Sequence, residues 1–203
     1  MSSKVANQYQ QISLYMNRKL ESISRAAGES WGRAQLAMLR RGIGKTPGEM
    51  PELWGILFAD MPEDMMAKGG DPTRAEWAVY TALTLYALHQ QGKNPADDNM
   101  HRPGVRFGQA MGRLAPTDDD KERIGKRFKA FAMADDLQAA AYYLRSLVQL
   151  LRDADIGLDY ALLAQDLYRF QSPKTVSSVR LKWGQDFYAV KSTENEEENT
   201  HAE

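Results

Sequence analysis

The chain has 203 residues, 43% of them hydrophobic and 26% charged, which suits one domain or two small helical lobes sharing a boundary. It contains no cysteine, so disulfides, thiolate metal sites and cysteine nucleophiles are excluded. No window approaches a membrane span and the N-terminus lacks a signal-peptide core, so a cytoplasmic protein without membrane contact is expected.

The first segment repeats apolar residues at helical spacing (Ile12, Tyr15, Met16 and Ile23, with Lys19 on the same side), and Gly28 is its expected stop. A second helix starts near Glu29 and Ser30, places Trp31, Ala34, Met38 and Leu39 on one side, and is expected to end on Gly42 as a left-handed cap. The turn that follows, RRGIGKTPGE, resembles the end of a nucleotide P-loop, G-x-x-x-x-G-K-[ST]. Leu39 stands where the first glycine should be, the run before it is helical rather than a strand, and Pro47 follows Thr46, so a nucleotide site is rejected. Two readings remain for this basic turn: contact with a sugar–phosphate backbone, or a mobile surface loop. As the local alternative, Arg40 and Arg41 complement a helix C-terminus.

PELWGILF forms a short helical piece with Pro51 in its first turn. TRAEWAVYTALTLYALHQQ is a strong helix with Trp77, Tyr80, Thr81, Thr84 and Leu88 on one stripe, closed by Gly92. The breaker-rich GKNPADDNMHRPG is expected to be a lobe boundary or a mobile loop. VRFGQAMGRL leads to a helix over 121–131 with Ile124, Phe128 and Phe131 inward and Arg123, Lys126, Arg127 and Lys129 outward. Asp118, Asp119 and Asp120 at its start, like Asp135 and Asp136 before LQAAA, are read as partners of helix N-termini rather than metal ligands. The next helix presents Leu137, Ala140, Ala141, Leu144, Leu147, Val148 and Leu151 inward and carries Arg145 and Arg152 seven residues apart on a polar edge. LDYALLAQDLYRF and PKTVSSVRLKWGQDFYAV complete an all-α fold of about eight or nine helices in two packed lobes. The expected bounds are 1–92 and 93–190, with an acidic disordered tail over 191–203.

The net charge of −1 is unevenly spread: the tail contributes −4 and leaves the body at +3. Basic residues dominate 25–45 and 101–129, and local positive charge is what contact with a polyanion requires. The three histidines are scattered, with no metal-ligand spacing and no catalytic constellation, so no enzyme activity, cofactor or metal is expected. Trp31, Trp54, Trp77 and Trp183 all fall in apolar helical patterns and are expected in the core rather than exposed for base stacking.

With these elements in order, the chain resembles the CasB family, the small subunit of the type I-E CRISPR effector complex Cascade. The resemblance spans roughly 31–188 and is carried by LRRGIGKTPGEMPELW, VRFGQAMGRL before a basic helix, LRSLVQLL, LDYALLAQDLYRFQSP and VRLKWGQDFY. It implies two helical lobes without catalytic activity, cleavage belonging to a separate helicase–nuclease subunit. It also implies copies paired head to tail beside other Cascade subunits and the CRISPR RNA, with a basic surface that stabilises the RNA–DNA hybrid and the displaced strand, and so touches target and non-target DNA. By position that surface would comprise Arg33, Arg40, Arg41, Lys45, Arg106, Arg113, Arg123, Lys126, Arg127, Lys129, Arg145 and Arg152. Some relatives carry an arginine in the run that here reads Gly108, Gln109, Ala110, Met111, so one phosphate contact is removed or passes to Arg106 or Arg113. Two other classes stand beside this one: a helix-turn-helix DNA-binding regulator, and a helical scaffold whose cations meet acidic protein partners.

Overall fold

The computed structural model describes residues 2–190, with side chains from residue 8 onward; the acidic tail over 191–203 lies outside the described residues. Among the described residues nine α-helices follow one another: α1 (Ser2–Ala26), α2 (Ser30–Arg41), α3 (Trp54–Phe58), α4 (Arg74–His89), α5 (Phe107–Arg113), α6 (Asp118–Ala132), α7 (Leu137–Asp153), α8 (Tyr160–Phe170) and α9 (Val176–Tyr188). A 3-10 turn over Pro51–Leu53 leads into α3, with Pro51 in its first position. The only extended pairing among the described residues is an isolated parallel bridge between His101 and Leu158. The all-α expectation therefore holds.

At the centre lies α4. Its sequence suggested a single apolar stripe, but Ala78, Val79, Ala82, Leu83, Leu85, Tyr86 and Ala87 are buried as well as Tyr80 and Leu88. A helix apolar on all sides belongs inside a fold, and α4 is covered by α1, α2, α3, α7 and α8. Trp77, placed on the stripe by periodicity, is only partly buried. The start of α4 is fixed by a capping box: the Glu76 amide donates to Thr73 Oγ1 (3.0 Å) and the Thr73 amide donates to Glu76 Oε2 (2.6 Å). One continuous core runs from Ile12 in α1 to Phe187 in α9.

Two expectations about α2 are corrected. Its inward face is Gly32, Leu36 and Leu39, at i, i+4 and i+7, whereas Trp31 and Ala34 point outward. The phase is set by a small residue: a Cβ at Gly32 would lie 2.0 Å from the Ala26 carbonyl oxygen, so α2 turns its glycine towards the end of α1. Gly42 is right-handed (φ −76°), not left-handed. A glycine stands there because a Cβ would meet Tyr80 Oη at 2.7 Å, while that hydroxyl donates to the Gly42 carbonyl (2.6 Å).

The connection from α4 to α5 is fastened along its length. The Gln90 side chain donates to the Asp98 carbonyl (2.7 Å) and accepts from the Met100 amide (2.9 Å). Lys93 bonds Asp98 (2.6 Å) and Asp155, and the Arg102 amide donates to the Leu158 carbonyl (2.9 Å). Next, α5 crosses α9 at close range: a Cβ at Gly108 would lie 2.5 Å from the Trp183 carbonyl oxygen, and one at Gly112 2.6 Å from that of Phe187. Trp183 is fully buried between Phe107, Phe131 and Phe170, and its indole donates to Asp166 (2.8 Å).

Candidate nucleic-acid interface

The basic helix α6 is built as its sequence predicts. Thr117 caps it by accepting from the Asp120 amide (3.1 Å), and Ile124, Phe128 and Phe131 are buried. Arg123, Lys126, Arg127 and Lys129 are exposed. Two of them have local partners: Arg123 bonds Asp120 (2.7 Å) and Lys126 bonds Glu122 (2.7 Å). These contacts hold the Asp120 and Glu122 carboxyls below their ordinary pKa, through the Arg123 and Lys126 hydrogen bonds respectively. Exposed pairs of this kind are weak and open readily to a stronger anion. Arg127 and Lys129 face no carboxylate among the described residues. The outer face of α6 thus combines two open cations with two that a phosphate can recruit.

A second basic region lies around α2. Arg33, Arg41 and Lys45 are exposed and Arg40 is partly buried, which lowers its guanidinium pKa. Arg33 donates to the Gly28 carbonyl (2.9 Å) and Arg40 to that of Ala87 (3.4 Å). None of the four has an ion-pair partner among the described residues. Arg33 and Arg40 line one groove of about 550 Å³, closed on its far side by Lys93 and Asn94. Lys93 lies in neither basic run of the sequence, and its place here follows only from the fold of the 90–98 connection.

The turn RRGIGKTPGE carries its lysine on a fixed base. Gly44 has φ +81°, which favours glycine, and Pro47 and Met50 are buried. The Lys45 amide donates to the Gly42 carbonyl (3.1 Å), and Glu49 accepts from the Thr46 amide, which holds its carboxyl below the ordinary range. No strand enters this turn, so the rejected nucleotide loop finds no support in its geometry.

The remaining sequence-predicted cations are placed apart. Arg106 points inward, bonding Asp186 (2.8 Å) with Asp166 at 3.9 Å, and both carboxylates are buried. Burial raises the Asp166 pKa against the pull of Trp183 and Arg106. Arg113 and Arg145 are exposed without ion pairs among the described residues. Arg152 bonds Asp153 (3.1 Å) and reaches Gln91 (3.4 Å), bringing it to the same connection as Lys93. Among the described residues no group of three acidic or histidine side chains could hold a metal ion, and no helix is long and apolar enough to cross a membrane.

The tryptophans divide. Trp183 is buried and Trp77 partly so, but Trp31 and Trp54 are 52% and 49% exposed, against the expectation that all four lie in the core. In each case the helical pattern was right and the phase was not: α2 buries Gly32 instead of its neighbour Trp31, and α3 buries Ile56 and Leu57.

A scan against protein-family models matches residues 35–188 to CRISPR-associated protein Cse2. The chain belongs to the Cse2 family. Among solved structures it is similar to CasB from Thermobifida fusca, with 35% identity over 88% of this chain and 98% of that one, at a TM-score of 0.72. CasB from Thermus thermophilus is 28% identical over 86% and 98% of the two chains, at a TM-score of 0.63. A chain of a CRISPR RNA-guided surveillance complex shares the fold at a TM-score of 0.68, with 21% identity over 88% of this chain and 94% of that one. No protein of curated function is similar enough to match. The Cse2 match takes in every sequence-predicted cation except Arg33, and leaves α1 and the first turn of α2 outside it. Within it, Gln109 accepts from the Arg106 amide (3.0 Å) and so serves the start of α5.

Proposed function

We propose that this Cse2-family chain is a non-catalytic small subunit of a CRISPR RNA-guided surveillance complex of the Cascade type, acting in the cytoplasm in antiviral defence. It sits beside other Cascade subunits and a second copy of itself. Its basic surface contacts the CRISPR RNA and the target and non-target DNA strands, stabilising the hybrid and the displaced strand. The observation that carries this reading is the set of cations without a carboxylate partner among the described residues: Arg33, Arg40, Arg41 and Lys45 around α2, Arg127 and Lys129 on α6, and Arg113 apart from both at the end of α5. They stand on helices and on a turn pinned by its own backbone hydrogen bonds. Such a surface reads charge and spacing rather than sequence. Exchanging a DNA duplex for a guide–target hybrid is nearly balanced in energy, so modest backbone contacts can tip it.

Copurification tests the assembly role. A surveillance complex reconstituted with its guide RNA should retain the wild-type chain and open target DNA. A variant with Arg41, Lys45, Arg127 and Lys129 changed to glutamine should still assemble but open target less completely. Retention with full opening by that variant would shift the reading to a helical scaffold. Sequence-selective duplex binding by the isolated chain would favour a DNA-binding regulator instead.

A further inference from the structure

The turn between α1 and α2 forms the shared wall of two grooves. On one side lies the groove of Arg33, Arg40 and Lys93; Ala27 and Gly28 belong to its lining. On the other is a groove of about 370 Å³ lined by Arg18, Glu21, Arg25, Ala26, Glu29 and Trp31. Trp31 and Arg33 are two residues apart on α2, close to opposite sides of a helix, so the indole serves one groove and the guanidinium the other. No side chain caps the first turn of α2 between them.

Trp31 is half exposed at the edge of its groove, and its neighbours are two arginines and two glutamates rather than an apolar patch. Arg25 is held by Glu21. Arg18 reaches only the Leu14 carbonyl (3.3 Å), so its other donors are open, as are those of Arg33 and Arg40. An exposed indole with unpaired guanidinium groups on both sides has the composition of a single-strand platform: a π face for a base and positive charge for the phosphates before and after it.

We infer that Trp31 stacks an unpaired base of a single-stranded nucleic acid. Arg18 holds the phosphates of that strand in one groove, and Arg33 and Arg40 hold them in the other. This rests on the nucleic-acid reading above and adds a stacking contact for an unpaired base, at a place largely outside the Cse2-matched residues. A duplex keeps its bases stacked and cannot offer a face to the indole. Glu29, in the same groove, opposes the phosphates and keeps the site from closing tightly on its strand.

Fluorescence and anisotropy titrations of the full chain test this, using an oligothymidylate, an abasic oligonucleotide with the same number of phosphates, and a duplex. The wild type should bind the oligothymidylate with quenched tryptophan emission. W31A should weaken that binding roughly five- to 150-fold, the span of one stacked base. Binding of the abasic strand should be unchanged in W31A, W31Y should retain most of the affinity, and W31F should lose most of the quench. W54A should behave as wild type, and E29Q should bind slightly tighter. Equal oligothymidylate binding by W31A and wild type, or a quench that persists in W31F, overturns the stacking site while leaving the nucleic-acid reading intact. Loss of assembly by W31A with unchanged strand binding also overturns it, making Trp31 an anchor for protein. If the wild type binds neither strand at low salt, the nucleic-acid reading itself fails and the site with it.

Discussion

Arg127 and Arg106 show how differently two arginines of one basic run are used. Arg127 stands on the outer face of α6 with no carboxylate among the described residues, whereas Arg106 closes a buried pair with Asp186. Replacing Arg127 and Lys129 by glutamine should leave the circular dichroism and thermal midpoint nearly unchanged. The slope of log affinity on log salt for single strands should become shallower by about 1.4, two phosphate contacts at 0.7 each. Arg106→Ala should act through the fold instead. It leaves Asp186 with Lys182 alone and Asp166 with Trp183, and should cost about 2 kcal/mol in urea unfolding. Its slope on salt should stay at the wild-type value. Sequence alone could not separate the two, because both sit in basic surroundings and the partner of Arg106 lies 80 residues away.

At the scale of elements, α6 was legible throughout and α2 and α4 were not. In α6 the caps, the apolar stripe and the cations all indicate the same face, so periodicity suffices. For α4 the pattern was legible as a helix but not as a central one, since burial on all sides leaves little periodicity to read. In α2 the phase is set by Gly32, a residue that carries no hydrophobic signal, whereas the heavier Trp31 beside it carries a strong one on the wrong face. Glycine also governs the crossing of α5 and α9. Gly108→Ala puts a methyl group against the Trp183 carbonyl and should destabilise by roughly 1–3 kcal/mol, seen as a lower denaturant midpoint with an unchanged slope. Thr117→Ala removes one cap of α6 and should cost about 1 kcal/mol.

Across the whole molecule, the fold should be sensitive to mild acid. His89 is buried in the core beside Tyr160, whose hydroxyl lies 2.9 Å from its Nδ1. Burial first, then the charges of Lys93 and Arg152, lower its pKa to about 4, with the Leu151 carbonyl and Asp155 acting the other way. The unfolded chain, with an ordinary histidine near 6.5, therefore binds more protons than the folded one between about pH 6.5 and 4. The stability from neutral His89 is complete above the upper value and falls as pH drops towards the lower, by up to about 3 kcal/mol. His101, also lowered by burial, changes in the same direction. Urea midpoints at pH 7.5 and pH 5 should differ accordingly, and His89→Gln should flatten the difference. Nothing in the sequence marked His89, since its burial comes from α8 arriving over α4, 71 residues later.

On the proposed function, the open cations grip a nucleic-acid backbone without reading its sequence. The most direct test of that grip is a salt titration of the purified chain against single-stranded DNA, RNA and duplex DNA of unrelated sequences. Single strands should bind irrespective of sequence. Log affinity should fall with log salt at about −0.7 per phosphate contacted, so that several contacts give a slope of several units of 0.7. Absence of binding at low salt, or an affinity that ignores salt, would contradict it and leave the basic faces as docking surfaces for protein.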